Sequence, residues 1–303
     1  MKRVLAVVGP TGVGKSALAL RLAHDLNGEI ISADSRQVYR YLDIGTAKPT
    51  HSEQSLVPHH LIDIIDPDRD FSLAQYQEQA YKTIDDVASR GYLPILTGGS
   101  GLYVWTVLEG WQIPRVAPDM DLRKRLEKRA AGGEKEKLYE ELKQIDADAA
   151  GRIDARNVRR VIRALEIKQN SSMRSGPTKT KPPFDYLLIG LTTAREVLYR
   201  RIDERVDSMI ARGLVEEVRG LVNKGYRLEL PSMSGIGYRQ IGAFLQGQIS
   251  LDEAIQQVKN ESHRLVRQQY NWFGPKDDRI HWSDVDSCPY TQIKALVTEF
   301  LKA

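Results

Sequence analysis

The sequence predicts an α/β fold, a parallel sheet with helices on both faces, interrupted by an all-helical insertion. Three observations carry this. Apolar runs of strand length alternate with stretches of helical period, a glycine-rich loop joins the first strand to the first helix, and residues 118–183 hold charged helical sequence without a convincing strand. Strand–helix alternation requires crossover connections and therefore parallel neighbours.

The expected strands are "RVLAVV", "EIISAD", "HLIDII", "YLPILTGG", "YLLIGLTT" and "RIHWSDV". Between them, "SALALRLAHDL", "SLAQYQEQAYKTIDDVASRG" and "EVLYRRIDERVDSMIARG" read as helices, the last two stopping at a glycine. Residues 1–117 and 184–303 form the core domain in this reading. Residues 118–183 form the insertion, with helices in "DLRKRLEKRA", "EKEKLYEELKQID" and "NVRRVIRALEIKQ" and a closing loop "NSSMRSGPTKTKPP".

Composition excludes several classes. The 303 residues are 41% hydrophobic and 28% charged, and no run approaches the ~18 apolar residues of a membrane span. Cys288 is the only cysteine, so an internal disulfide and a cysteine-cluster zinc site are both excluded, and a reducing cytoplasm is expected. The chain enters a strand at once, with no secretory signal pattern. Net charge is +4, from 44 basic and 40 acidic residues, so where the charge lies matters more than its sum.

The loop "GPTGVGKS" has the spelling G-x-x-x-x-G-K-[ST], with Gly9, Gly14, Lys15 and Ser16 in the fixed places. The turns of Gly9, Pro10, Thr11, Gly12, Val13 and Gly14 aim backbone N–H groups at an anion, aided by the helix N-terminus. Lys15 reaches terminal phosphates and the Ser16 hydroxyl suits Mg²⁺. The spelling suggests ATP, yet an ATPase carries a Mg²⁺-linked aspartate after an apolar strand, and "YLPILTGG" has none. Asp63 and Asp66 in "LIDIID" are poor substitutes, and the adjacent His59 and His60 would point opposite ways on a strand.

Asp34 ends the second strand, on the sheet edge where ligands collect. It can be a general base, a metal ligand or simply a helix N-cap. Ser100 in "TGGSGLY" sits at the same edge, as a cap or a site residue. Arg156, Arg159, Arg160 and Arg163 follow i, i+3, i+4, i+7 and set four guanidinium groups on one face, while Val158, Val161, Ile162 and Leu165 face the core. An all-arginine stripe suits phosphate contacts, although a solvated face is the plainer alternative. In "HRLVRQQYNWF", Arg264 and Arg267 alternate with Tyr270, Trp272 and Phe273. Core packing is the better expectation for the last two.

Together "GPTGVGKS", "DSRQVYRYLDIGTAKP", "PHHLID", "GGSGLY", "RNVRRVIRALE", "GIGYRQ" and "NWF" resemble, in order and spacing, the tRNA dimethylallyltransferase (IPP transferase) family. The resemblance implies a P-loop kinase-like fold whose loop holds the diphosphate of dimethylallyl diphosphate, with Mg²⁺ on Ser16. It implies prenyl transfer to N6 of the adenosine 3′ to a tRNA anticodon by a cytoplasmic monomer, with Asp34 as base and Lys15, Ser16 and Arg123 assisting the leaving group. Asp34, Ser35, Arg36, Gln37, Ser100, Arg123, Arg159, Arg160, Val161, Ile162, Arg163, Ser234, Gly235, Ile236, Gly237, Tyr238 and Arg239 would contact tRNA. His263 and Gln268 stand where the family has arginines. A P-loop nucleotide or nucleoside kinase, an adenylate prenyltransferase and a non-catalytic RNA-binding module are the rivals.

Overall fold

The structure is a computed structural model that describes residues 2–114, 116, 119–170 and 178–303. It divides into two compact units, residues 1–108 with 182–303, and Glu109–Lys181. The expected boundary at Pro118, and most of the loop expected near the end of the insertion, lie outside the described residues.

In the larger unit, β1 (Lys2–Val8) leads through the glycine loop into α1 (Lys15–Asp25), followed by β2 (Gly28–Ser32), α2 (His51–Leu56) and β3 (His59–His60). Then come α3 (Leu73–Ser89), β4 (Leu93–Thr97) and α4 (Gly101–Leu108). In the smaller unit β5 (Trp111–Gln112) pairs antiparallel with β6 (Thr178–Lys179), a short ladder where no strand is expected from the pattern. Between them lie α5 (Met120–Ala131), α6 (Lys135–Ile145), α7 (Ala147–Ala150) and α8 (Val158–Asn170). The larger unit resumes with β7 (Phe184–Thr192), α9 (Arg195–Ala211), α10 (Leu214–Asn223), α11 (Tyr238–Leu245), α12 (Leu251–Trp272), β8 (Ile280–Asp284) and α13 (Tyr290–Lys302).

Six strands form one sheet in the order β3-β2-β4-β1-β7-β8, and each pairing is parallel. β1 lies inside the sheet and is buried from Val4 to Val8, as a strand covered on both faces must be. Leu5 and Val7 register with Ile95 and Thr97 on one side and with Leu187 and Ile189 on the other. The capping box of α3 joins Ser72 to Gln75, and that of α12 joins Ser250 to Glu253.

The expected strand "HLIDII" shrinks to β3. Leu61 and Asp63 take φ of 61° and 54°, which no strand accommodates, and only Ile65 regains a bridge, to Tyr39. The Lys48 ammonium, bonded to the Asp63 carboxylate at 2.5 Å, holds this irregular chain. The smaller unit has its own core, in which Leu122, Leu126, Leu138, Leu142, Val161 and Leu165 are nearly inaccessible.

The ends of β2 and β4 pass so closely that a Cβ on Gly98 would lie 2.1 Å from the Ala33 carbonyl oxygen. Gly98→Ala is therefore expected to destabilise the protein by about 1–3 kcal/mol or more, because the obstacle is backbone and cannot rotate away. Equilibrium urea unfolding measures this, and a midpoint equal to that of the parent would contradict it.

Candidate active site

The glycine loop turns through positive φ, with 140° at Gly9, 81° at Gly12 and 103° at Gly14. Gly9 has no alternative, since a Cβ there would sit 2.5 Å from the Leu191 carbonyl oxygen. Lys15 folds back over the loop and donates from Nζ to the Pro10 carbonyl at 2.8 Å. Burial pulls its pKa down to about 7, the positive charge of Arg205 adds to that, and Asp34 opposes it. The loop is steadied from α12: the Thr11 amide donates to Gln269 Oε1 at 2.8 Å, and Gln269 Nε2 donates to the Gly99 carbonyl at 3.1 Å.

Two cavities meet along this edge. The smaller, about 530 Å³, is lined by Lys15, Ser16, Gln37 and His59. The larger, about 610 Å³, has an apolar wall of Ile202, Val206 and Met209 from α9 facing Val258 and Leu265 from α12. Asp34, Thr46, Arg205 and Gln269 border both. Asp34 Oδ1 accepts the Arg36 amide at 2.8 Å, an Asx turn that fixes the carboxylate. No helix begins at Asp34, so it is not the helix N-cap that the sequence allows; it closes a turn at the edge of both cavities.

Most of the core-domain residues singled out in the sequence converge here. Asp34, Ser35, Arg36, Ser100 and the whole of Ser234–Arg239 line the larger cavity, and Gln37 lines the smaller. Ser100 Oγ accepts the Ser35 amide at 3.1 Å. The Arg36 guanidinium is engaged within the protein, donating to the Pro231 carbonyl at 2.6 Å and to Ser234 Oγ at 3.1 Å. Arg239 lies 3.5 Å from Glu261, and Tyr238 is 1% exposed. Phe273 is core, as expected, but Trp272 is 36% exposed and borders the larger cavity. Gly101 makes room for it, since a Cβ there would lie 2.3 Å from Trp272 Cγ. His263 stacks on Tyr199 with ring centres 4.0 Å apart and lies 2.9 Å from an Asp203 oxygen, whereas Gln268 faces the larger cavity.

Arg205 is missing from the sequence reading. It borders both cavities, and burial, the largest influence on it, pushes its pKa down while Asp34 pulls it up. Its only signal is its place one position from Val206 on the apolar face of α9; among the many charges of "YRRIDERVDS" that is no signal at all.

The remaining arginines belong to the smaller unit. α8 begins at Val158 behind Asn157, whose side chain accepts the Arg160 amide at 3.2 Å. Arg156 therefore precedes the helix, paired with Asp154 at 2.9 Å, and drops out of the four-residue stripe. Glu166, fully buried, takes both Arg123 Nε at 2.9 Å and Arg123 Nη2 at 2.8 Å, and also pairs with Arg163. Burial raises the pKa of Glu166, but the hydrogen bonds from Arg123, Arg163 and the Asp119 amide outweigh it and the net shift is downward. Val161 and Ile162 are 1% and 4% exposed and pack inside the unit. Arg159 and Arg160 are exposed and, among the described residues, have no ion pair.

A family model described as IPP transferase matches residues 37–276. A tRNA dimethylallyltransferase of Roseiflexus castenholzii is 52% identical over 272 residues, which cover 89% of this chain and 89% of that protein. The solved tRNA isopentenylpyrophosphate transferase of Bacillus halodurans superposes with a TM-score of 0.75 at 40% identity, over 100% of this chain and 97% of that one. A eukaryotic dimethylallyltransferase solved acting on tRNA gives a TM-score of 0.85 at 25% identity, over 100% of this chain and 80% of that one. Sheet order, glycine loop and sheet-edge cavities define an α/β protein of the phosphate-loop class. Within that class, the chain belongs to the IPP transferase family.

Because the folded pKa of Lys15 lies below its ordinary 10.5, the folded state binds fewer protons than the unfolded chain between about pH 7 and about pH 10. Ligand-free stability should thus rise with pH across that window, and Lys15→Met should remove this contribution. Thermal midpoints of the two proteins across the window provide the comparison; parallel curves would show an ordinary lysine.

Proposed function

We propose that the protein is a cytoplasmic, monomeric transferase that moves the dimethylallyl group of dimethylallyl diphosphate to N6 of the adenosine 3′ to a tRNA anticodon. The observation that carries this reading is the position of Asp34, a carboxylate bordering both the phosphate-loop cavity and an apolar-walled one. An apolar wall beside a phosphate site gives a prenyl chain the surface it needs to leave water. Among the described residues no helix is long and apolar enough to cross a membrane.

In this mechanism the diphosphate lies on the loop amides, with Lys15 and Arg205 as its cations. The adenosine enters the larger cavity flipped out of its stack, since N6 in a stacked loop is out of reach. The N6–C1 bond forms as the C1–O bond breaks, and the electron pair leaves on diphosphate. The N6 proton passes to Asp34. The Arg36 amide holds Oδ1 of that carboxylate, and among the described residues Oδ2 accepts no protein hydrogen bond. Loop amides and Lys15 stabilise the charge that develops on the leaving oxygens. The family resemblance also assigns Arg123 to the leaving group; in this chain its guanidinium is held by Glu166 within the smaller unit.

Mg²⁺ fits the smaller cavity. Oxygen donors predominate there, among them the hydroxyls of Ser16, Ser32 and Thr97 and the carboxylates of Asp34 and Glu204, as that hard cation prefers, and substrate phosphate and water would supply the rest. Bound there through Ser16, the ion supplies charge neutralisation for the diphosphate.

Labelled dimethylallyl diphosphate, unmodified tRNA and Mg²⁺ should yield a prenylated adenosine and inorganic diphosphate, without ATP consumption. Asp34→Asn should cut turnover about 10²–10⁴-fold while leaving tRNA affinity nearly unchanged. Turnover within a few-fold of the parent would remove Asp34 from the role of base, and ATP hydrolysis without a prenyl product would restore a kinase-like reading.

The exposed pair on α8 gives a separate readout. Arg159→Ala and Arg160→Ala should each weaken tRNA binding and reduce the slope of log affinity against log salt by about 1. A slope unchanged in both variants would show that this face is only solvated.

A further inference from the structure

We propose that Glu217 is a positioning residue for the larger cavity: its carboxylate clasps the chain segment after β2 to α11 and so sets the places of Thr46 and Tyr238. Glu217 lies on α10, far in sequence from both partners. Oε2 accepts the amides of Asp43 at 3.1 Å and Ile44 at 2.7 Å, and Oε1 accepts the Gly45 amide at 3.2 Å and the Tyr238 hydroxyl at 2.5 Å. Three successive backbone N–H groups converging on one point form a nest for an anion. Here the protein supplies the anion from its own helix.

The steric fit is as close as the hydrogen bonding. A Cβ on Gly45 would fall 2.5 Å from Tyr238 Cε2, so the ring lies directly against the glycine backbone. Burial raises the Tyr238 hydroxyl pKa well above the ordinary value, and the neighbouring Glu217 charge raises it further, which keeps the hydroxyl a donor. The clasped segment passes through left-handed φ at two non-glycine residues, 67° at Tyr41 and 46° at Ala47. Such conformations persist only where the surroundings over-determine them. Gln37 supplies part of that determination, donating from Nε2 to the carbonyls of Thr46 and Ala47 at 3.3 Å each.

Glu217 borders neither cavity, so it acts only through what it holds. Thr46 borders both cavities, and Gly45 and Tyr238 border the larger one. Releasing the carboxylate frees three amides at once and lets this wall move relative to Asp34. The inference rests on the larger cavity being where the acceptor base enters.

The test uses the full chain with Glu217→Ala, Gly45→Ala and Tyr238→Phe, measuring prenyl transfer to tRNA and, separately, equilibrium binding of inorganic diphosphate with Mg²⁺. Glu217→Ala and Gly45→Ala should each lower kcat about 10–100-fold, the scale of a ~1 Å misplacement, with diphosphate Kd held within about threefold. Tyr238→Phe keeps the ring and the three amide bonds and should fall between them and the parent. Gly45→Ala disturbs the clasp without touching a charge, so it carries the test should Glu217→Ala not fold. An unchanged kcat in the alanine variants overturns the proposal. So does a loss of diphosphate affinity parallel to the loss of kcat, which marks general loosening. An inactive parent protein would sink the acceptor-site reading and the clasp's role with it, whereas an active parent with unaffected variants sinks only the clasp.

Discussion

A half-buried ammonium, Lys15, to which no carboxylate among the described residues is bonded, organises the site. Lys15 donates to one carbonyl of its own loop and borders the smaller cavity, with Arg205 near enough to repel it. Desolvation on that scale is unfavourable for the folded state and is tolerated because packing elsewhere offsets it. β1, buried on both faces with pairing strands on either side, provides the rigid platform that keeps the loop from relaxing. Lys15 behind β1 and Arg205 on α9 thus place two positive groups beside the loop amides at this edge.

Parallel topology explains why the other groups are close by. β1, β2 and β4 end on one edge, and Lys15, Asp34 and Ser100 follow those three ends. Their convergence was readable from the sequence because each residue follows an apolar run by a few positions, and in a parallel sheet all such positions share an edge. The helices of the insertion are legible for a similar reason, since helical period is a local property, whereas the two-residue strand β6 inside it is too short to leave a pattern.

What escaped reading is what depends on contacts across long sequence distance. Arg205 lies in the body of α9 and Gln269 in the last turn of α12, where a polar residue near an apolar face looks like any other, and both border the cavities only once the helices are packed. β3 was read too long because period-two apolar spacing in "HLIDII" cannot register the left-handed turns at Leu61 and Asp63, which depend on the distant Lys48. The arginine stripe lost Arg156 to a helix start set by Asn157 and Arg163 to the buried Glu166. Spacing reports which residues share a face. It does not report which of them already have partners.

Partnering also divides the arginines by what they can do. Arg36, Arg123 and Arg163 are tied to protein acceptors, and an arginine so held presents a fixed shape at little further entropic cost. Arg159 and Arg160 have no such tie among the described residues. Their long side chains remain free to follow a flexible polyanion at the expense of ordering them on contact. The two kinds of arginine differ in what they offer: a guanidinium fixed in place by the fold, and one whose hydrogen bonds are still to be made. The sequence motif that carries most of them, "RNVRRVIRALE", interleaves both kinds on a single helix, and the glutamate that ends it ties Arg163 within the smaller unit.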